Sequence, residues 1–412
     1  MRSHSLSERG QALIVIVFAI LGLMGVVGLA VDGGNVYVDR IRAQNAADTT
    51  ALEAALVRIN GGNWITAAYQ KAAENGYNND GARNTVQISS PPASGKYKGN
   101  IEYIQVIITS HVRTYLASAI GVRELTNQVE TISRSKPSVW EPMMNGAAVV
   151  SLATTSDCSE HRAFWVHGEA TLSIIDSGIF VNSGNPRCAL ITEASGSIRL
   201  QGNGKITVVG GANIKKPNLV TPYPPDTGVL PVAYPPPFFM PKVGCGKDAT
   251  VSKDGESMSA GSWGDTFPPP GVKTLESGVY CLNGDFILPG DAELEGHGVV
   301  IKVEHGRVQF AGGATFDLRA PSVGKLAGLL IYLPPENQSK VQLNGSDESL
   351  LSGAILAPAA EIHINGDDNP GGWKTQIIGY TVEVNGDSNI VLRYVDDQIY
   401  DALSMPEVQF IK

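Results

Sequence analysis

Ala12 to Val31 is an unbroken apolar run of 20 residues, with Arg9 just before it and Asp32-Gly33-Gly34 directly after it. Wound as a helix, such a run matches the roughly 30 Å hydrocarbon layer of a bilayer. The pattern predicts a transmembrane helix over 12–31. Arg2, Arg9 and the amino terminus precede the run, while Asp32 follows it. That bias keeps residues 1–11 in the cytoplasm and places the rest of the chain outside the membrane. Gly28-Leu29-Ala30 resembles a small-residue cleavage site, so a removed signal peptide competes, although the run exceeds the ordinary apolar core of about 7–15 residues. Gly22, Gly25 and Gly28 recur on one face, where they allow close helix packing in the membrane; ordinary membrane-helix glycines account for them equally well.

Beyond Asp32 the apolar positions change period. Ile41, Leu52, Leu56 and Ile59 fall near helical spacing among alanines, which predicts a helix over about 36–59 that stops at Gly61-Gly62. The Asp-Gly-Gly break ahead of it reads as a hinge or a short unwound turn. Residues 64–74 read as a second helix, 84–89 and 101–110 as strands, 113–120 as a short helix, and the stretch toward Arg134 as another strand. Residues 32–137 therefore form a helix with a small α+β unit.

From 146 the texture is short β stretches punctuated by glycine, giving a first β-rich segment over 146–216. Twelve of the 24 prolines lie between Pro217 and Pro270. Residues 217–270 read as a partly polyproline connector. In the next segment, 271–400, an apolar-Asn-Gly-polar motif recurs at Asn283, Asn344, Asn365 and Asn385, the last three 21 and 20 residues apart. That period suits one coil of a parallel β-helix better than a meander or sandwich built on Asn-Gly hairpins. Residues 401–412 read as a tail. The fold class is α+β and mainly β: an N-terminal transmembrane helix, a small α+β unit and a glycine-rich β half.

Composition narrows the partners. The net charge is −9, and the 31 Lys and Arg residues are spread along the chain, which argues against nucleic acid or anionic lipid as the main partner. Cys158, Cys188, Cys245 and Cys281 all fall on the outward side, where an even count suggests two disulfides. Pairing Cys158 with Cys188 and Cys245 with Cys281 brackets one β-rich segment each. A zinc site from Cys158, His161, His167 and Cys188 matches no standard spacing.

Catalytic signatures are missing. There is no Gly-x-Ser-x-Gly elbow, phosphate loop, dinucleotide fingerprint or His-Glu-x-x-His pair, and a lone histidine such as His363 is ordinary strand polarity. Neither catalytic residues nor a cofactor or metal is expected. Glu293 and Glu295 share a strand face and, with Asp317 and Lys302, are the candidates for a carbohydrate-cleaving site; a solvated face explains them better. Asn365-Gly366-Asp367-Asp368-Asn369 could form a weak calcium loop, but reads more simply as a polar turn. Phe238-Phe239-Met240 and Trp373 are loop aromatics that either meet a partner or pack against the β scaffold.

Arg9-Gly10-Gln11-Ala12 entering the apolar run, Gly28 to Gly34 leaving it, and Gln44-Asn45-Ala46-Ala47-Asp48 before an alanine-rich stretch resemble the TadE/TadG-type (Tad/Flp) pilus-assembly proteins. A prepilin-peptidase site fits less well, because after a cut at Gly10 the place of the type IV prepilin glutamate is held by Val15. The resemblance covers about residues 8–60; the von Willebrand A signature Asp-x-Ser-x-Ser of many TadG-like proteins is absent. It implies a single-pass membrane protein with a pilin-like helix at the start of 32–137, acting as a minor pilin or pilus-assembly factor, with the bilayer and other pilus-assembly or pilin subunits as partners and no enzymatic activity. The β half would be a structural or adhesive element at the cell surface, a surface ligand being the further partner of the adhesive reading. The rival of another class is a membrane-tethered carbohydrate-active enzyme.

Overall fold

A computed structural model describes residues 8–366, 369–387 and 389–411. It divides into two compact units, 1–138 with 405–412, and 139–404.

In the first unit, helix α1 runs without interruption from Glu8 to Ile59, about 78 Å at 1.5 Å per residue. The expected break at Asp32-Gly33-Gly34 is absent. Glycine lowers helix propensity by only about 1 kcal/mol per residue, and the turns on both sides are strongly helical. Asp32, moreover, finds hydrogen-bond partners without leaving helical geometry. Helix α2 spans Trp64–Glu74, with Asn63 accepting from the Thr66 amide at its start. Strands β1 (Asn84–Ser89), β2 (Tyr103–Arg113) and β3 (Glu124–Lys136) form an antiparallel sheet. The 113–120 segment is a 3₁₀ turn over Ala117–Ile120 rather than the expected helix. A fourth strand, Glu407–Ile411, closes the sheet beside β3, so the C-terminal segment is structural rather than a tail. Ile104, Val106 and Ile108 of β2 bury against Ala43, Ala47, Ala51, Ala54 and Ala55 of α1.

The second unit is built from three parallel ladders. In one, Phe286–Leu288, Val308–Phe310 and Val341–Asn344 stack in turn on 362–364, 382–384, Phe164–Val166, Leu190–Thr192 and Ala212–Ile214. A second ladder runs from Gly261–Trp263 through Gly278–Leu282, Val299–Val303 and Leu329–Tyr332 to Val149–Ser151, Ile179–Val181 and Ile206–Val208. The third includes Glu293–His297, Thr315–Arg319, Asn389–Arg393, Thr171–Ile175 and Ser197–Gln201. Inward residues in register, such as Phe286, Val308, Val341, Ile362, Val382 and Phe164, share one apolar core. Phe267, Phe286, Phe310 and Phe316 follow one another there at centroid distances of 5.2, 4.9 and 5.1 Å.

The 21- and 20-residue spacings of Asn344, Asn365 and Asn385 coincide with this stacking, because Leu343 pairs with Ile364 and Ile364 with Val384. At Gly386 (φ +120°) a Cβ would stand 2.6 Å from the Asn365 carbonyl oxygen, so the turn after this strand accepts only glycine without a shift. Asn283 follows a strand of a different ladder and is not part of that column.

The two β-rich segments are not separate: strand Lys374–Val384 pairs with Val149–Ser151 and Phe164–Val166, and Asn389–Arg393 with Thr171–Ile175. The chain therefore enters the stack in its middle, winds to one end near Asp226–Thr227, restarts at Ser257–Met258 at the other end, and winds back to meet its own beginning. The proline-rich stretch makes the return. Strands at both its margins belong to the ladders, and the part between them is fastened down by the reciprocal Asn182–Val232 hydrogen bonds, by buried Phe238 and by the Cys245–Cys281 disulfide. Prolines suit this path because they cannot donate to a ladder.

Candidate functional site: the anchor helix and its seat

The apolar half of α1 is bare: side chains from Leu13 to Val31 are exposed, and this is the one described helix long and apolar enough to cross a membrane. Its second half is seated on the sheet by a regular polar seam. Along β3, Asn127, Val129, Thr131, Ser133 and Ser135 alternate onto the helix side and are buried. Two residues of a strand advance about 6.8 Å, and four residues of a helix about 6 Å, so the two elements keep step. Asn127 donates to the Val36 carbonyl (2.9 Å) and Asp39 carboxylate (2.8 Å). Thr131 donates to Asp48 (2.6 Å), and Gln44 donates to both Asp48 (2.7 Å) and Thr131 (2.9 Å). Ser133 reaches the Ala51 carbonyl at 2.8 Å and Ser135 the Ala55 carbonyl at 3.3 Å. Alanine on the helix lets the backbones approach closely enough for these short hydroxyls to reach. Tyr77 also approaches Asp39, and burial together with that neighbouring charge pushes its hydroxyl up to about 12.

At the foot of this seat Asp32 accepts three backbone N–H groups, from Ala117 (2.7 Å), Tyr115 (2.8 Å) and Leu116 (3.0 Å). Those donors, Ala117 and Tyr115 foremost, hold its carboxyl below the usual aspartate range. One turn earlier Gly28 is buried, and a Cβ there would meet the Leu116 Cβ at 3.3 Å. Residues 10–57 match the family model of the putative Flp pilus-assembly, TadE/G-like proteins. The matched Tad segment thus contains both the apolar run and the residues that seat it: Gly28, Asp32, Asp39, Gln44, Asp48 and the buried alanines. Together they fit a membrane-anchored pilus-assembly protein. No curated protein and no solved structure matches the chain.

Of the three glycines read as a packing face, Gly22 and Gly25 have nothing within 4 Å, whereas Gly28 faces the Leu116 loop of its own chain. Sequence reading missed the polar partners on β3, because alternating Asn, Thr and Ser look like a solvated face. Their spacing opposite an alanine-rich helix was the available signal.

Elsewhere the structure sorts the remaining candidates. Cys158 bonds Cys188 and Cys245 bonds Cys281, with Cα separations of 5.5 and 6.0 Å, so no free thiolate remains for the zinc alternative. Glu293 pairs with Lys273 at 2.9 Å; Glu295 and Asp317 are neighbours in one ladder, near His297 and Arg319. Lys302 stands on another ladder beside Glu304, so the four proposed groups do not converge. Asp367 and Asp368 lie outside the described residues, and Asn369 is engaged with the Ser349 carbonyl and the Gly371 amide. Trp373 and Phe238 are buried in the scaffold, while Phe239 is exposed.

One cluster escaped the sequence reading. His363 and Glu383 are adjacent in register on neighbouring strands; His363 Nε2 lies 2.6 Å from Glu361 and 3.3 Å from Glu383, and His167 Nε2 lies 2.9 Å from Glu383. Donor atoms of Glu361, His363 and Glu383 fall within 4.8 Å of one another, a spacing a divalent ion can bridge. The same hydrogen bonds hold the cluster together without one. It borders a groove of about 650 Å³ lined by Asp157, Arg162, Trp165 and Glu361. Arg162 sits 3.6 Å over the Trp165 ring, which stacks on His167.

Proposed function

We propose that this chain is a single-pass, non-enzymatic component of a Tad/Flp-type pilus apparatus. Residues 12–31 span the membrane with the amino terminus in the cytoplasm, the first unit meets other pilus-assembly or pilin subunits, and residues 139–404 stand outside as a structural or adhesive element. The observation that carries the reading is the coincidence of the family match with a helix that is bare where lipid would cover it and polar where its own sheet receives it. Two disulfides suit an oxidising, extracytoplasmic setting. The Arg2 and Arg9 flank supports the orientation.

We read the second unit as a parallel β-helix, a reading supported by the three parallel ladders, the inward columns of apolar residues and the strand recurrence near 20 residues. Such a rod offers evenly spaced outward side chains on a rigid support, which suits binding and spacing. In the carbohydrate-cleaving alternative Glu293, Glu295 and Asp317 are paired with Lys273, His297 and Arg319, and Lys302 stands on a separate ladder, which supports the non-enzymatic reading.

The test uses cells of the source organism carrying the chromosomal gene in three forms: intact, deleted, and lacking residues 139–404. Deletion is expected to abolish or reduce pilus assembly. The 139–404 deletion should still support pili while surface attachment falls; unchanged attachment would assign the second unit a spacing role. Normal piliation and attachment in the full deletion would refute the proposal.

A further inference from the structure

We propose that the loop joining β2 to β3, residues 114–123, is a membrane-interface wedge that inserts beside α1 into the outer edge of the same bilayer. This rests on the anchoring reading above and adds a second, non-helical contact with lipid.

The loop carries an unusual load for a hairpin tip: Tyr115, Leu116, Ile120 and Val122 are 70, 44, 82 and 40 % exposed. A water-facing tip has no reason to present four large apolar side chains in ten residues. The tip is also tied by its own hydrogen bonds. Thr114 donates to the Val122 carbonyl, the Val122 amide to Ala117 (3.1 Å), the Ser118 hydroxyl to Tyr115 (2.6 Å), and Gly121 closes the turn in the left-handed region. The apolar side chains are therefore held outward rather than collapsed on one another.

Its level relative to the lipid is set by Asp32 and Gly28. Asp32, the first residue beyond the apolar run, accepts the amides of Tyr115, Leu116 and Ala117. Gly28, three residues inside the run, abuts Leu116. Three helical residues rise about 4.5 Å, so Leu116 lies at the depth where hydrocarbon gives way to headgroups. Tyrosine is favoured at that boundary because its ring is apolar and its hydroxyl is polar. Arg113 precedes the loop and Arg123 ends it, where long basic side chains can reach lipid phosphates. The occupant is thus the bilayer already entered by α1, continuous with its exposed apolar face. The wedge would fix the tilt and rotation of the helix, which a single span leaves free.

The test uses the full chain in proteoliposomes. The four native cysteines are all in disulfides, so Ile120→Cys introduces the only thiol for an environment-sensitive fluorophore. Val17→Cys, within the span, and Ile101→Cys, exposed at the opposite end of β2, serve as controls. With lipids brominated near the carboxyl end of the acyl chain, the label at 120 should lose at least half its fluorescence, the label at 101 less than a tenth. Quenching at 17 without quenching at 120 would overturn the wedge while leaving the anchor intact. Absence of quenching at 17 would overturn the anchoring reading and the wedge with it. A label at 120 protected only at high protein density, with cross-linking between copies, would show that a second chain covers the loop and would also overturn the proposal.

Discussion

The Cys245–Cys281 bridge closes a 36-residue span that contains the end strands of the stack, Ser257–Met258 and Gly261–Trp263. End strands of a parallel ladder have a neighbour on one side only, so such a stack opens from its ends. Removing the bridge with the double variant Cys245→Ser, Cys281→Ser leaves the folded contacts in place but frees the opened span. On the chain-entropy model a loop of this length is worth about 3.8 kcal/mol, or roughly a 500-fold change in the opening equilibrium. Native-state hydrogen exchange on the full chain in detergent reads this directly. Amides of Gly261–Trp263 and Gly278–Leu282 should exchange several hundred-fold faster in the variant, and those of Val149–Ser151, in mid-stack, at their original rate. Exchange within threefold of the parent at Gly261–Trp263 would refute the stapling argument. Equal acceleration at Val149–Ser151 would refute the independence of the stack's end from its middle.

Two further outcomes test the helix seat. Asp32 has a lowered folded-state pKa, so its contribution is present above the ordinary value of 3.8 and is lost as pH falls through the folded value; exchange of the Tyr115, Leu116 and Ala117 amides should rise in that acid window, and Asp32→Asn should raise it already at pH 7. Ala51 is fully buried opposite Ser133, so Ala51→Leu should destabilise the first unit by about 1–3 kcal/mol through overpacking, read as a lower midpoint in chemical denaturation, whereas Leu52→Ala on the exposed side should change it by less than about 0.5 kcal/mol.

What was legible in the sequence was local or periodic. The apolar run, the alanine-rich helix, β1, and the 20-residue recurrence of Asn344, Asn365 and Asn385 are each written within a few turns of chain, and each has its counterpart in the structure. The continuity of α1 through Gly33 and Gly34 was not legible, since the partners that satisfy Asp32 lie more than 80 residues away. Nor was the meeting of strand Lys374–Val384 with Val149–Ser151, because nothing in either segment names the other: any inward-apolar strand of that length could stack on the next. The seam of Asn127, Thr131, Ser133 and Ser135 was hidden for a related reason, as buried hydroxyls satisfied by a helix look the same in sequence as hydroxyls satisfied by water.

The position of the second unit in the chain has its own consequence. Residues 139–404 are inserted between β3 and the last strand, Glu407–Ile411, which pairs with β3 from Ile132↔Ile411 to Lys136↔Glu407. The insertion begins and ends side by side: Trp140–Pro142 pairs antiparallel with Asp401–Leu403, and the Val139 amide donates to the Ser404 hydroxyl at 3.1 Å. Each unit is therefore closed on itself, with its own sheet and core, and a hairpin turn of a few residues could bridge Ser138 and Met405 without disturbing the β3 register. Replacing 139–404 by a four-residue Gly-Asn-containing linker should leave the first unit folded, with Ile411 still protected beside Ile132 and Arg134 still paired with Glu102 and Glu407. Circular dichroism and amide exchange on the shortened chain in detergent would measure it. A shortened chain that loses protection along β3 would show that the first sheet depends on the insertion, and loss of piliation in the corresponding cells could then no longer be assigned to the second unit itself.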